Sequence, residues 1–129
     1  MNDKWWFYQL PAVLWALLIF IASSLPDIPG PRLNIQFEDK LDHLVVYAVF
    51  GFLLCRAFLY QNRFPGWRES YILLSIVVGI LYGLSDEFHQ YFVPGRYSEW
   101  MDVLADSIGI ILGVSAFKVY ISLRANFTD

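Results

Sequence analysis

Apolar residues fall into four long runs along the chain, and polar residues collect between the runs and at the ends of three of them. WWFYQLPAVLWALLIFIA occupies residues 5–22, and a second run is centred on LVVYAVFGFLL at 44–54 and extends to about residue 60. A third opens with YILLSIVVGILYG at Tyr71 and a fourth, VLADSIGIILGVSAFKVYI, opens at Val103. A hydrocarbon core about 30 Å thick takes roughly 20 helical residues to cross. The runs therefore predict an all-α membrane protein of four transmembrane helices, at about 5–23, 41–60, 71–91 and 103–122, forming one domain over 1–129. Trp5, Trp6, Trp67 and Trp100 stand near the run ends, where an amphipathic ring prefers the lipid–water interface.

Composition sharpens this picture. Hydrophobic residues make up 57% of the 129 and charged residues 16%, which excludes an ordinary soluble helical bundle. The first run follows Lys4 and is followed by small residues, as in a secretory signal, but it is longer than the usual apolar core of about 7–15 residues and is read as an uncleaved anchor. The linkers are short, at 23–39, 61–70 with a Pro65–Gly66 turn, and 92–101 with Pro94–Gly95. A lone cysteine, Cys55, lies within the second run and excludes an intramolecular disulfide.

Charge orients the chain. Lys4, Arg56, Arg63, Arg68, Lys118 and Arg124 fall on the side of the termini and the middle loop, against Arg32, Lys40 and Arg96 on the other, which predicts cytoplasmic termini. The outer side carries Asp27, Glu38, Asp39, Asp42, Asp86, Glu87, Glu99, Asp102 and Asp106. This acidic face argues against nucleic acid and anionic head groups as partners and is compatible with a cation or a cationic ligand.

Several of these charges cannot be loop residues. Counting along the helices places Asp86 and Glu87 about a turn inside the outer leaflet, with His43 and Asp106 at a similar depth. A charge at the bilayer centre costs about 2.5–3.5 kcal/mol, and less near the interface, so each must face protein, water or a partner. At 100° per residue, Gly79, Gly83, Asp86 and Gln90 share one stripe, with Tyr82 and His89 on one flank and Glu87 on the other. Asp102, Asp106, Gly109 and Gly113 form a comparable stripe, and Asp39, Asp42 and His43 share a face with Tyr47 at its edge. The two glycine pairs have the spacing that lets membrane helices approach closely. The second, third and fourth helices are thus expected to enclose an outward-facing acidic pocket.

Within that pocket Asp86, Glu87 and His43 are the candidates for acid–base chemistry, because closely spaced carboxylates cannot all ionise at low cost and an imidazole beside them can act as base. Asp39, Lys40, Asp42, Tyr47, His89, Gln90, Arg96, Asp102 and Asp106 are the candidate binding residues, with Lys40 or Arg96 able to hold a phosphate or carboxylate. No motif places a serine or cysteine nucleophile. Carboxylates with His43 and His89 also offer metal donors, but neither H-x-x-x-H nor H-E-x-x-H spacing is present, and no metal ligand set or cofactor is assigned. The structural alternative pairs Asp39, Asp42, Asp86 and Asp102 with Lys40 and Arg96 to tie helix ends together, leaving most of the acids without a cation. A short likeness between PGPR followed by Asp39 and His43, and PGR followed by Asp102 and Asp106, suggests two related hairpins.

SSLP at 23–26, DKLDH at 39–43 with Tyr47 after it, YGLSDEFHQ at 82–90, and PGR at 94–96 with Asp102 and Gly109 together resemble the VanZ-like family over about three-quarters of the chain. Asp106 departs from the pattern, which has Asn there. The resemblance implies a small multi-pass protein of the bacterial plasma membrane, in contact with the lipid bilayer and related to a protein that contributes to teicoplanin resistance; the acids, His43 and the cations of the pocket suggest that it binds or modifies an envelope or lipid-linked ligand at the outer leaflet.

Overall fold

Pro11 breaks the first apolar run in two. The computed structural model describes residues 4–26 and 38–127, so Asp27, Arg32 and the PGPR segment at 29–32 lie outside the described residues. A single turn, α1 (Trp5–Tyr8), precedes α2 (Leu10–Ser24), in which proline occupies the first turn. Proline has no N–H to give the carbonyl four residues back and its ring crowds that carbonyl, whereas the first turn of a helix tolerates both defects. The expected uninterrupted helix over 5–23 is therefore a turn and a 15-residue helix, about 22 Å long at 1.5 Å per residue.

Three further helices are long and apolar enough to cross a membrane: α3 (Glu38–Leu59), α5 (Tyr71–Gln90) and α6 (Trp100–Asn126). Between α3 and α5 the expected Pro65–Gly66 turn is the first turn of a five-residue helix, α4 (Pro65–Glu69). Both α3 and α6 begin about three residues earlier than the apolar runs predict. Their first turns hold Glu38 and Asp39, and Asp102, side chains whose charge suits the positive end of a helix dipole. Between α5 and α6 the chain turns through Gly95, whose φ of +80° is in the left-handed region that favours glycine.

The tightest seam joins α3 to α6. A Cβ on Gly113 would run into the carbonyl of Ala48, one on Gly109 into the carbonyl of Leu44, and one on Gly51 would lie 2.6 Å from the carbonyl oxygen of Ile110. Glycines on both helices thus let the two backbones meet. The pair on α5 acts differently: Gly79 makes room for the side chain of Ile110, and Gly83 for that of Asp106. Tyr47, Phe50, Cys55, Ile110, Val114 and Phe117 fill the core between them. Gln9, just before α2, and Trp15 within it donate side-chain N–H groups to the carbonyls of Ala57 and Val46 on α3, each at 3.0 Å, and the carbonyl of Ala16 on α2 accepts from the Tyr82 hydroxyl of α5.

The outside of this bundle is apolar. Leu14, Leu17, Leu18 and Ile21 on α2, Leu73, Leu81 and Phe88 on α5, and Ile111 and Leu112 on α6 are exposed. A contiguous apolar surface of that extent belongs against lipid rather than water.

Candidate functional site

The polar side chains gather where the C-terminal ends of α2 and α5 meet the N-terminal ends of α3 and α6. Gly83 on α5 and Gly109 on α6 keep the helices close there, and the acids buried among them are Asp86, Glu87, Asp102 and Asp106, exposed by 6%, 4%, 2% and 0%. Each needs a partner, because a carboxylate removed from water without one is strongly disfavoured.

Lys40 and His43, a turn apart on α3, provide the basic side of the cluster. The Lys40 ammonium lies 2.8 Å from Asp102 Oδ1 and 2.6 Å from Glu99 Oε2, and 3.4 Å from Asp39 Oδ2. His43 Nδ1 is 2.9 Å from Asp106 Oδ1, and its Nε2 is 4.0 Å from Asp102 Oδ2. Asp106, the position that departs from the family pattern, is thus the deepest partner of the histidine.

Asp86 and Glu87 are neighbours in sequence yet serve different compartments, because successive helical residues point 100° apart. Asp86 Oδ2 accepts a hydrogen bond of 3.0 Å from the Tyr47 hydroxyl and lines a cleft. Glu87 faces the His43–Asp106 pair instead: its Oε2 accepts from Ser98 Oγ at 3.2 Å and from the Glu99 backbone N–H at 3.1 Å. Among the described residues, Glu87 Oε1 and Asp106 Oδ2 have no hydrogen-bond partner although both are fully buried.

The cleft has a volume of about 250 Å³. Its polar wall is Asp39, Asp42, His43, Tyr47, Asp86 and Gln90, with Ile19, Ala22 and Val46 forming an apolar side. It opens between α2, α3 and α5, rather than among α3, α5 and α6 as the helical faces suggested, because Asp102 and Asp106 lie behind His43 in the α3–α6 seam. Ser23, buried and with no hydrogen-bond partner for its hydroxyl among the described residues, also lines it and was not among the expected site residues. Its position in SSLP, at the acidic end of the first run, was the available signal.

Of two further expected binding residues, His89 is committed away from the cleft, and Arg96 lines it with its hydrogen bonds given to α2. His89 turns to α2, where its Nε2 meets Ser24 Oγ at 2.9 Å and its ring stacks on Phe20 with centroids 4.8 Å apart. Ser24 also donates to the carbonyl of Phe20, so this serine–histidine pair closes a local structural link. Arg96 donates from Nε to the carbonyl of Leu25 and from Nη2 to that of Ala22, both at 2.8 Å. It caps α2, satisfying carbonyls left open at the helix end, and is not positioned as a free anion clamp.

The arrangement can hold cations and share protons. Among the described residues no hydroxyl or thiol bonds to His43, and Cys55 is buried in the core. Two groups of donors among the described residues approach closely enough for a metal ion, His43 with Glu87 and Asp106, and His43 with Asp39 and Asp102.

No curated protein and no solved structure matches the chain. One protein-family comparison does, over residues 5–121, and it covers all four apolar runs and the polar residues described above. The chain therefore belongs to the VanZ/LLP1 family.

Proposed function

We propose that this VanZ-type membrane protein crosses the bacterial plasma membrane four times with both termini in the cytoplasm, and binds a cationic ligand of the cell envelope in its cleft at the outer face. Four crossings are supported by the reach of α2. Gln9 is tied to Ala57 near the end of α3, and Ser24 to His89 at the opposite end of the bundle, so α2 runs alongside helices long enough to cross. The distribution of basic residues supports the orientation.

One observation carries the ligand class. Among the described residues three carboxylates, Asp39, Asp42 and Asp86, face the cleft, against one guanidinium, Arg96, whose hydrogen bonds go to the carbonyls of Ala22 and Leu25 and to none of the three, and the His43 imidazole, which is paired with Asp106. A ligand amine seated on Asp86 would exchange water for a charge-assisted hydrogen bond, with Tyr47 holding the carboxylate in place. Ile19, Ala22 and Val46 give the ligand's apolar part a wall level with the lipid. A structural role is favoured for Lys40, Asp102 and Glu99 alone, which tie α3 to the start of α6.

The test uses dansylcadaverine, a primary amine on an apolar fluorophore, titrated into the protein in nanodiscs against neutral dansylamide. Saturable binding of the amine alone, weakened at least about tenfold by Asp86→Asn, is expected; equal binding of both probes, or an amine affinity indifferent to Asp86→Asn, refutes the reading. Family membership supports an envelope role of the glycopeptide-resistance kind. Expression in a teicoplanin-sensitive bacterium should then lower susceptibility for wild type and not for Asp86→Asn.

A further inference from the structure

Among the described residues, four carboxylates are buried at the polar end of the bundle, and their partners differ in kind. Asp102 has the Lys40 ammonium at 2.8 Å. Asp86 has the Tyr47 hydroxyl and the open cleft. Asp106 meets the His43 imidazole through Oδ1 and Glu87 is held through Oε2 by Ser98 and the Glu99 N–H, and each retains a buried oxygen, Oδ2 and Oε1 respectively, with no partner among the described residues. Leaving such an atom unbonded costs about 1–3 kcal/mol, and more when it is charged.

Both orphaned oxygens belong to the same interface. A Cβ on Gly83 would lie 3.2 Å from Asp106 Oδ2, so that oxygen faces α5 at Gly83. Glu87 stands one helical turn further along the same face of α5. One donor atom from each of His43, Glu87 and Asp106 lies within 4.8 Å of the other two. Donors about 2.1 Å from a Zn²⁺ ion are at most about 4.2 Å apart, so a small side-chain adjustment brings all three onto one ion.

From this geometry we infer that His43, Glu87 and Asp106 form a binding site for a divalent cation of the Zn²⁺ class, set between α3, α5 and α6 behind the cleft. Two carboxylates and a neutral imidazole balance a double positive charge, and Lys40 already balances Asp102. The ion would satisfy both orphaned oxygens and leave Asp86 as the buried acid that faces the cleft. An imidazole nitrogen among the donors favours zinc or manganese over magnesium or calcium, which prefer all-oxygen sites. Glu87 Oε2, held by Ser98 and the Glu99 N–H, fixes the carboxylate plane so that Oε1 is the ligand atom. The site does not depend on the cationic ligand proposed for the cleft.

Its test is metal content. Protein in nanodiscs is stripped with EDTA, loaded with Zn²⁺, freed of excess ion on a chelating resin, and assayed by elemental analysis, with the Zn²⁺-dependent change in melting temperature measured in parallel. Wild type should retain one Zn²⁺ per chain and melt higher with it. Glu87→Gln should lower the affinity by more than about tenfold, the smaller end of what loss of even a supporting partner does. Folded wild type that retains no stoichiometric zinc and shows no shift overturns the inference, and this outcome stands whether or not a variant folds. Retention by Glu87→Gln together with loss in Asp39→Asn also overturns it, since that pattern moves the ion to the His43, Asp39 and Asp102 donors.

Discussion

The hydroxyl of Tyr47 and the carboxylate of Asp86, on different helices, meet at 3.0 Å, with Tyr47 buried in the core and Asp86 on the wall of the cleft. One side chain thereby joins the packing of the bundle to the acid that faces a ligand. Tyr47→Phe leaves the ring packed and removes only the donor. It should lower stability by about 1–3 kcal/mol, the range for stranding a buried acceptor, and weaken binding of a cationic probe because the carboxylate is no longer held. Asp86→Asn keeps an acceptor for the hydroxyl, so its stability loss should be smaller while its binding loss is larger. Melting curves and titrations on the two variants check this crossed pattern; equal losses in both measurements would dissolve the distinction.

The glycines predict a graded series. Gly113→Ala would place a Cβ against the Ala48 carbonyl and backbone atoms of Phe52, where neither helix can yield without the seam opening. A cost of roughly 1–3 kcal/mol is expected, despite alanine's intrinsic advantage of about 1 kcal/mol in a helix. Gly79→Ala meets the side chain of Ile110 rather than a backbone, and should cost less because that side chain can shift while the helices stay in place. At Gly66 a Cβ meets nothing within 4 Å, and the alanine variant should match wild type. Thermal unfolding in one detergent orders the three.

The length and apolarity of the runs were sufficient to locate α3, α5 and α6, and helical arithmetic put Gly83, Asp86 and Gln90 on one stripe and Asp102, Asp106 and Gly109 on another; all six are buried. The break at Pro11 was legible in principle, since a proline removes a helix donor, but the surrounding apolarity masked it. What periodicity cannot supply is which neighbour a face meets. Gly79 and Gly83 have the same spacing as Gly109 and Gly113, yet one pair receives side chains and the other a backbone. His89 lies on the flank of the Asp86 stripe, and only the position of α2 turns it to Ser24 and Phe20. The part of α2 in the cleft escaped notice because its contribution there is apolar, apart from Ser23.

Lys40 ties three acids, but they are unequal. Its side chain is 24% exposed, Asp102's is 3% exposed and Glu99's is 53% exposed, so only the bond to Asp102 is protected from solvent. Lys40→Met strands the buried Asp102 carboxylate and should cost about 3 kcal/mol, whereas Glu99→Gln should cost less than about 1 kcal/mol. Adding Asp102→Asn to Lys40→Met should recover most of the loss. A double-mutant cycle in melting experiments measures the coupling, and a purely additive pair would remove Lys40 from its assigned role.

The number of crossings rests on α2, whose 15 residues fall short of a bilayer core taken alone. With α1 before it, and with its two ends tied to opposite ends of the bundle, the segment covers the same depth as its neighbours. Labelling of single introduced cysteines on intact cells with a membrane-impermeant maleimide decides the matter, since native Cys55 is fully buried. Tyr97→Cys, on the exposed turn before α6, should react from outside, and Asn62→Cys, in the loop between α3 and α4, only after permeabilisation. Lys4→Cys is the discriminating position. If α2 crosses, it behaves like Asn62→Cys; if only α3, α5 and α6 cross, it reacts on intact cells like Tyr97→Cys, and the wall that Ile19, Ala22 and Ser23 give the cleft would have to lie on the membrane surface instead of in it.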